Sequence, residues 1–245
     1  MTLKLNCDLG ESFGSWKMGL DEEVFPHIDQ ANVACGFHAG DPNIMLRTIK
    51  LAKQHQVQLG AHPAYPDLVG FGRRSMKCSP DEIYGMIQYQ LSALDGMARS
   101  QGVTVDYVKP HGALYNDMMA QESVRQAILK AISDYHLPVK LMLQATPDYQ
   151  QHTIEANDMK VELLFEAFAD RCYDDDGKLL SRTLAGAVHS KEKMLAQVQQ
   201  LNEQGTITTV NGNTITIKAD SLCVHGDNPE GISAIQQIKS LIQQG

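Results

Sequence analysis

Apolar residues follow two different periods along this chain. Short runs with strand-like alternation or a compact apolar core occur at 3–9, 31–35, 57–61, 105–109, 139–143, 161–165 and 221–225. Between them lie longer segments with helical spacing, at about 41–55, 79–99, 121–135, 147–157, 191–202 and 229–243. Two of these open on explicit signals: Asp41-Pro42 and Ser79-Pro80 each place an N-capping side chain before a proline in the first turn. Strands alternating with helices of this length predict βαβ units and a mainly parallel sheet. Seven or so such units predict an α/β fold of the β/α barrel kind, a distorted TIM-type barrel. An open doubly wound sheet is the alternative. One segment breaks the rhythm. Residues 206–218 (TITTVNGNTITIK) set two β-branched arms around Asn211-Gly212, which predicts an inserted β-hairpin rather than a barrel strand. No linker or composition shift divides the chain, so 1–245 reads as a single catalytic domain.

With 245 residues, 43% of them hydrophobic, the chain can bury a core without disulfide staples. Twenty-one Lys and Arg against 29 Asp and Glu give a net charge of −8, which argues against nucleic acid or an anionic membrane as partner. The five cysteines include no CxxC pair and suit a reducing compartment. The first residues carry no apolar secretion signal and no stretch has the length of a membrane span, so a cytoplasmic location is expected.

The informative residues follow the strands. Asn6 and Asp8 share one face of the first strand, which runs into Gly10-Glu11. The second leads to CGFHAGD (35–41), the third to GAHP (60–63) and then GFGRR (70–74), the fourth to KPHG (109–112). A later strand leads into Glu166, Asp170 and Arg171, and the last ends His225-Gly226-Asp227. Residues at the C-terminal ends of parallel strands converge on one site. A lone histidine there is usually a buried, satisfied side chain, but His38, His62, His111 and His225 occupy equivalent places in four units. We therefore expect one convergent site.

Asp8, His38 and His62 have the composition of a one-carboxylate, two-histidine metal site; a metal-free acid–base network is the alternative, since no HxH or HxxxH spacing is present. Lys109, beside His111, stands where it could polarise a carbonyl or phosphoryl oxygen. Arg73 and Arg74 suit bidentate capture of a carboxylate, against the plainer reading of a solvated loop pair. Cys7 and Cys35 read as small packing residues, and 174–176 as a solvated acidic turn. The chain has no GxxxxGK[ST] loop, no GxGxxG opening a helix and no GxSxG elbow, hence no standard device for holding a nucleotide.

These motifs also carry a resemblance. NCDLGESFG (6–14), ANVACGFHAGDP (31–42), GAHP, GFGRR, KPHGALYN (109–116), EAFADR (166–171) and HGDNP (225–229) resemble the LamB/YcsF family, in the family's order and over nearly the whole chain. Departures are slight: EAFADRCY stands where EVFADRAY is usual, and Ser181 precedes Arg182 where the family often has proline. The resemblance implies a barrel akin to carbohydrate deacetylases and an ATP-hydrolysing 5-oxoprolinase reaction, in which 5-oxo-L-proline, ATP and water give L-glutamate, ADP and phosphate. It implies two partner subunits, B and C, with ATP and Mg²⁺ bound mainly by them. On that reading Asp8, His38, His62, Lys109 and His111 are the candidate catalytic residues. Asn6, Glu11, Arg73, Arg74, Asp170, Arg171, His225 and Asp227 are the candidate substrate-binding ones. Two other readings use the same residues differently: a stand-alone metal-dependent deacetylase or hydrolase, and a non-catalytic scaffold for partner subunits.

Overall fold

A computed structural model describes residues 3–181, 184–225 and 229–244. In chain order the elements are β1 (Lys4–Leu9), α1 (Asp21–Val24), β2 (Gln30–Ala34), α2 (Pro42–His55), β3 (Gln58–His62), α3 (Pro80–Ser100), β4 (Val105–Val108), α4 (Gly112–Ala120) and α5 (Glu122–Ser133). There follow β5 (Lys140–Gln144), α6 (Tyr149–Asp158), β6 (Leu163–Phe168), α7 (Lys191–Gln204), β7 (Thr206–Thr208), β8 (Thr214–Thr216), β9 (Ser221–Cys223) and α8 (Pro229–Gln244). Strands β1 to β6 and β9 pair in sequence order, and β9 bonds both β6 and β1, so the parallel sheet closes into a barrel. That closure excludes the open doubly wound alternative.

The start signals act as read. Asp41 accepts hydrogen bonds from the N–H groups of Asn43 and Ile44 at 2.8 and 3.2 Å, capping α2. Ser79 and Glu82 form a reciprocal capping box on α3. Helix α4 is not anticipated by the sequence reading, because it opens on Gly112 with no side-chain cap and directly continues a strand exit. Strands β7 and β8 form the expected antiparallel hairpin outside the barrel. Its turn is wider than a two-residue loop: Thr209 N–H bonds the Asn213 carbonyl, and only Gly212 takes positive φ. Ile207 and Ile217 anchor the hairpin in the core, while Asp175 accepts hydrogen bonds from Thr209 and Asn211. The acidic turn thus helps to hold the hairpin down. No helix among the described residues is long and apolar enough to cross a membrane.

The two faces of the barrel strands differ in kind. Leu5, Cys7, Leu9, Ala31, Val33, Leu59, Ala61, Leu141, Leu143 and Leu222 belong to one apolar core with helix residues such as Ile49, Ile87, Leu91 and Ile128. The alternate positions point inward and are largely polar. Asn6 Nδ2 donates to Ser221 Oγ (2.7 Å), Asn32 Nδ2 to Asn6 Oδ1 (2.8 Å), and the Tyr107 hydroxyl to Asn32 Oδ1 (2.6 Å). Such groups are tolerated in a dry interior because they satisfy one another. Glycine is required at position 60: a Cβ there would lie 2.2 Å from the Tyr107 ring.

Candidate active site

The inward rows rise to a charged cluster at the C-terminal ends of the strands. Asp8 Oδ1 accepts from Asn32 Nδ2 at 2.8 Å and from Lys109 Nζ at 3.0 Å, while Oδ2 lies 3.4 Å from His62 Nε2. Lys109 Nζ also reaches Glu166 Oε2 at 3.0 Å, Asn6 Oδ1 at 3.2 Å and Cys223 Sγ at 3.4 Å, so one ammonium joins β1, β6 and β9 across the barrel. Burial by itself would raise the Asp8 pKa, but His62 and Lys109 outweigh it and hold the carboxyl well below its usual range. Burial likewise opposes charge on Lys109, yet Asp8, Cys223 and Glu166 hold its pKa well above the ordinary lysine value. Asp8 is thereby kept as a carboxylate and Lys109 as an ammonium.

Beside this cluster three imidazoles pack face and edge. His38 and His111 stack with centroids 3.7 Å apart, and both stand edge-on to His62. His62 Nδ1 is 2.7 Å from the Lys109 carbonyl, His111 Nε2 is 2.8 Å from the Phe71 carbonyl, and His38 Nε2 is 3.2 Å from Glu11 Oε1. Burial first, then neighbouring histidines, hold the pKa values of His38 and His111 well below the usual histidine range. The GFGRR loop makes this packing possible. Gly72 takes φ +63°, and a Cβ there would meet His111 Cδ2 at 2.8 Å and His38 Cβ at 2.9 Å. Phe71, at φ 54°, holds a strained conformation for a non-glycine residue and so presents its carbonyl to His111. The Glu11 loop is fixed to the His38 loop through Gly14 N–H, which donates to Asp41 Oδ2 at 2.8 Å.

The structure thus brings together Asn6, Asp8, Glu11, His38, His62, Lys109 and His111. Asp170 and His225 pair with each other at 3.0 Å on the β6–β9 side of the same end. Arg171 is buried, and its guanidinium donates to the Leu180 carbonyl at 2.5 Å. Arg73 is exposed, with its guanidinium over the Phe71 ring at 5.2 Å. Arg74 is turned to Asp67, which it grips through Nε and Nη2, so its fork is already occupied. Asp227 lies outside the described residues. Glu166, which the sequence places at a strand end without assigning it a role, is fully buried against Lys109. The phenol of Tyr115 stands by it, with a pKa raised well above normal by burial and then by Glu166. The signal for Glu166 was an acid in an otherwise apolar strand.

The geometry revises the expected metal set. Ligand atoms of Glu11, His38, His62 and His111 all lie within 4.8 Å of one another. Asp8 stands beside this quartet, its Oδ1 engaged by Asn32 and Lys109, and Glu11 is the carboxylate that lies among the three histidines. Cys7 and Cys35 are buried; burial raises the Cys7 pKa strongly and pushes that of Cys35 up to about 12, so both are packing thiols.

Comparison with known proteins places the chain in a family. The chain is 52% identical to the 5-oxoprolinase A subunit of Vibrio campbellii, over 99% of this chain and 96% of that one. It is 53% identical to the second 5-oxoprolinase A subunit of Pseudomonas putida, over 98% and 93% respectively. The crystal structure of the lactam utilization protein from Thermus thermophilus superposes with a TM-score of 0.91 at 35% identity, covering 100% of this chain and 97% of that one. The LamB/YcsF family matches residues 3–245, and the chain belongs to that family.

Proposed function

We propose that this chain is the A subunit of an ATP-dependent 5-oxoprolinase, a cytoplasmic hydrolase that opens the lactam of 5-oxo-L-proline to L-glutamate. The observation that carries this reading is the buried Asp8–Lys109–His62 cluster in a chain about half identical, end to end, to relatives named for that activity. A five-membered lactam is unstrained, and amide resonance protects its carbonyl. Transfer of the ATP γ-phosphoryl group to the amide oxygen makes C5 electrophilic. Water then adds to C5, the C–N bond breaks as the nitrogen takes a proton, and the resulting acyl phosphate is hydrolysed to glutamate and phosphate. Asp8 and His62 receive and return those protons, a role typically worth about 10²–10⁴-fold in rate. Lys109 holds Asp8 and Glu166 in place and keeps Asp8 ionised; with four acceptors around its ammonium it is a positioning residue rather than a polariser of the lactam oxygen. Arg73 is assigned to the substrate carboxylate, since Arg74 is held by Asp67.

Residues 1–245 act as one catalytic domain, with subunits B and C supplying most of the ATP–Mg²⁺ site. Phosphoryl transfer needs backbone N–H groups, lysine and Mg²⁺ gathered on the phosphates, and this chain has no phosphate loop and a net charge of −8. The purified chain, mixed with 5-oxoproline, ATP and Mg²⁺, should release neither glutamate nor phosphate until B and C are added. Stoichiometric release of both products by the chain alone would overturn this division of labour. ATP-free glutamate formation would identify a self-sufficient hydrolase instead.

A further inference from the structure

We infer that Glu11, His38, His62 and His111 form a binding site for one divalent transition-metal ion of the Zn²⁺ or Co²⁺ type. Backbone contacts fix where two of the imidazole protons lie. A carbonyl oxygen only accepts hydrogen bonds, so the 2.7 Å contact of His62 Nδ1 with the Lys109 carbonyl places a proton on Nδ1. The 2.8 Å contact of His111 Nε2 with the Phe71 carbonyl places a proton on that nitrogen in the same way. The remaining nitrogens, His62 Nε2 and His111 Nδ1, therefore point lone pairs at each other across 3.0 Å. Glu11 Oε1 adds negative charge to the same spot, 3.6 Å from His111 Nδ1 and 3.2 Å from His38 Nε2. Asp8 Oδ2 adds more, 3.4 Å from His62 Nε2. Lone pairs and carboxylates facing inward on one point repel unless an extra proton or a metal cation stands between them, and the donor set and the test below distinguish the two.

The donor set defines the cation. Three imidazole nitrogens and one carboxylate oxygen suit the borderline ions that take tetrahedral N/O ligation, whereas Mg²⁺ and Ca²⁺ prefer oxygen alone. Ligands at about 2.0–2.1 Å from a tetrahedral ion stand roughly 3.3 Å apart. The separations of 3.0, 3.2 and 3.6 Å are within a few tenths of an ångström of that, and binding needs one further change, a swing of His38 out of its parallel stack on His111 so that the two lone pairs converge. Two of the histidines also carry the support expected of metal ligands, the far N–H donating to a backbone carbonyl that fixes tautomer and ring plane. This inference rests on the imidazole geometry and not on the 5-oxoprolinase reading. With an ion on Nε2 and the Lys109 carbonyl on Nδ1–H, His62 has no free nitrogen, and the proton transfers assigned above fall to Asp8.

The test uses the full chain freed of metal by a chelator and titrated with Co²⁺ alone, then with Zn²⁺ as competitor. Visible d–d absorption of tetrahedral intensity should saturate at one Co²⁺ per chain and vanish as Zn²⁺ displaces it. His62→Ala and His111→Ala, checked for folding by circular dichroism, should each weaken binding by more than the about 10–100-fold that loss of an outer partner causes. His136→Ala, on an exposed histidine remote from the cluster, should bind as wild type. Absence of one-to-one binding by the wild-type chain would overturn the proposal whatever the variants do. So would unchanged binding in both folded ligand variants, or an imidazole–imidazole proton resonance of the metal-free chain that persists at saturating Zn²⁺.

Discussion

The inner and outer faces of the same seven strands obey different rules. Outside, Leu5, Leu9, Val33, Leu59 and Leu141 pack under helices in an apolar layer where size and hydrophobicity are the main requirements. Inside, Asn6, Asn32, Tyr107, Lys109, Glu166 and Ser221 hold one another through named hydrogen bonds and ion pairs, and each depends on a specific partner. The outer layer stabilises the barrel; the inner rows orient the groups that we assign to chemistry. Substitutions in the two layers should therefore separate stability from activity.

The sharpest contrast is Lys109→Met against Leu91→Ala. Removing the ammonium leaves Asp8 and Glu166 as buried carboxylates without their shared partner. Breaking a buried ion pair in this way costs about 3–5 kcal/mol, and turnover of the assembled enzyme should be lost as well. Leu91→Ala should cost about 2–5 kcal/mol through the cavity it leaves in the outer layer, while the folded fraction keeps its kcat. Urea denaturation and kcat of the B- and C-supplemented enzyme check both. A folded Lys109→Met variant with normal turnover would dismiss the idea that the inner rows serve the site.

His62→Ala probes the inner network nearer its top. It should lower kcat by about 10²–10⁴-fold with little loss of stability or of co-purification with the partner subunits. Near-normal turnover would take His62 off the catalytic list and leave it a packing residue of the imidazole stack.

How much of this was legible in the sequence follows the same division. The outer faces are periodic, and the seven strands could be placed to within a few residues because alternation needs no knowledge of partners. Strand-end residues were legible for a related reason: parallel β/α topology carries His38, His62 and His111 to one end whatever their distance in sequence. What stayed hidden depends on three-dimensional partnership. Glu166 looks like any acid in a strand until Lys109 is seen beside it. The Glu11 carboxylate falls among the three histidines, while Asp8 Oδ1 is engaged by Asn32 and Lys109. Arg73 and Arg74 are adjacent in sequence, yet one lies over Phe71 and the other grips Asp67, a difference set by the fold of the 70–74 loop.

That difference yields a smaller test. Arg73→Lys should raise KM for 5-oxoproline about ten-fold, because a charge-assisted bidentate contact is worth roughly 1.5 kcal/mol. Arg74→Lys should leave KM unchanged, its partner being Asp67 rather than substrate. Equal KM values for wild type and both variants would move the carboxylate anchor to Arg171, to backbone N–H groups or to a partner subunit.

The last test lies at the edge of the inner network and leaves turnover untouched. Asp21 accepts a hydrogen bond from Gly10 N–H at 2.9 Å. Burial, only partly countered by that bond, pushes its pKa from 3.8 to about 6, with the Glu11 charge adding to the rise. The folded chain thus binds this proton more tightly than the unfolded one. The resulting stability is fully present below about pH 4, where both states are protonated at Asp21, and is lost as pH rises toward 6. Above that the contribution of Asp21 is flat. Asp21→Asn can still accept from Gly10 and has no proton to lose, so it should remove this share of the pH dependence. The readout is the difference in Tm between variant and wild type, which cancels every titration the two share. That difference should grow in favour of the variant between about pH 4 and 6 and then level off. Parallel Tm curves across the window would mean that Asp21 titrates alike in the folded and unfolded chain and that the Gly10 contact fully offsets its burial.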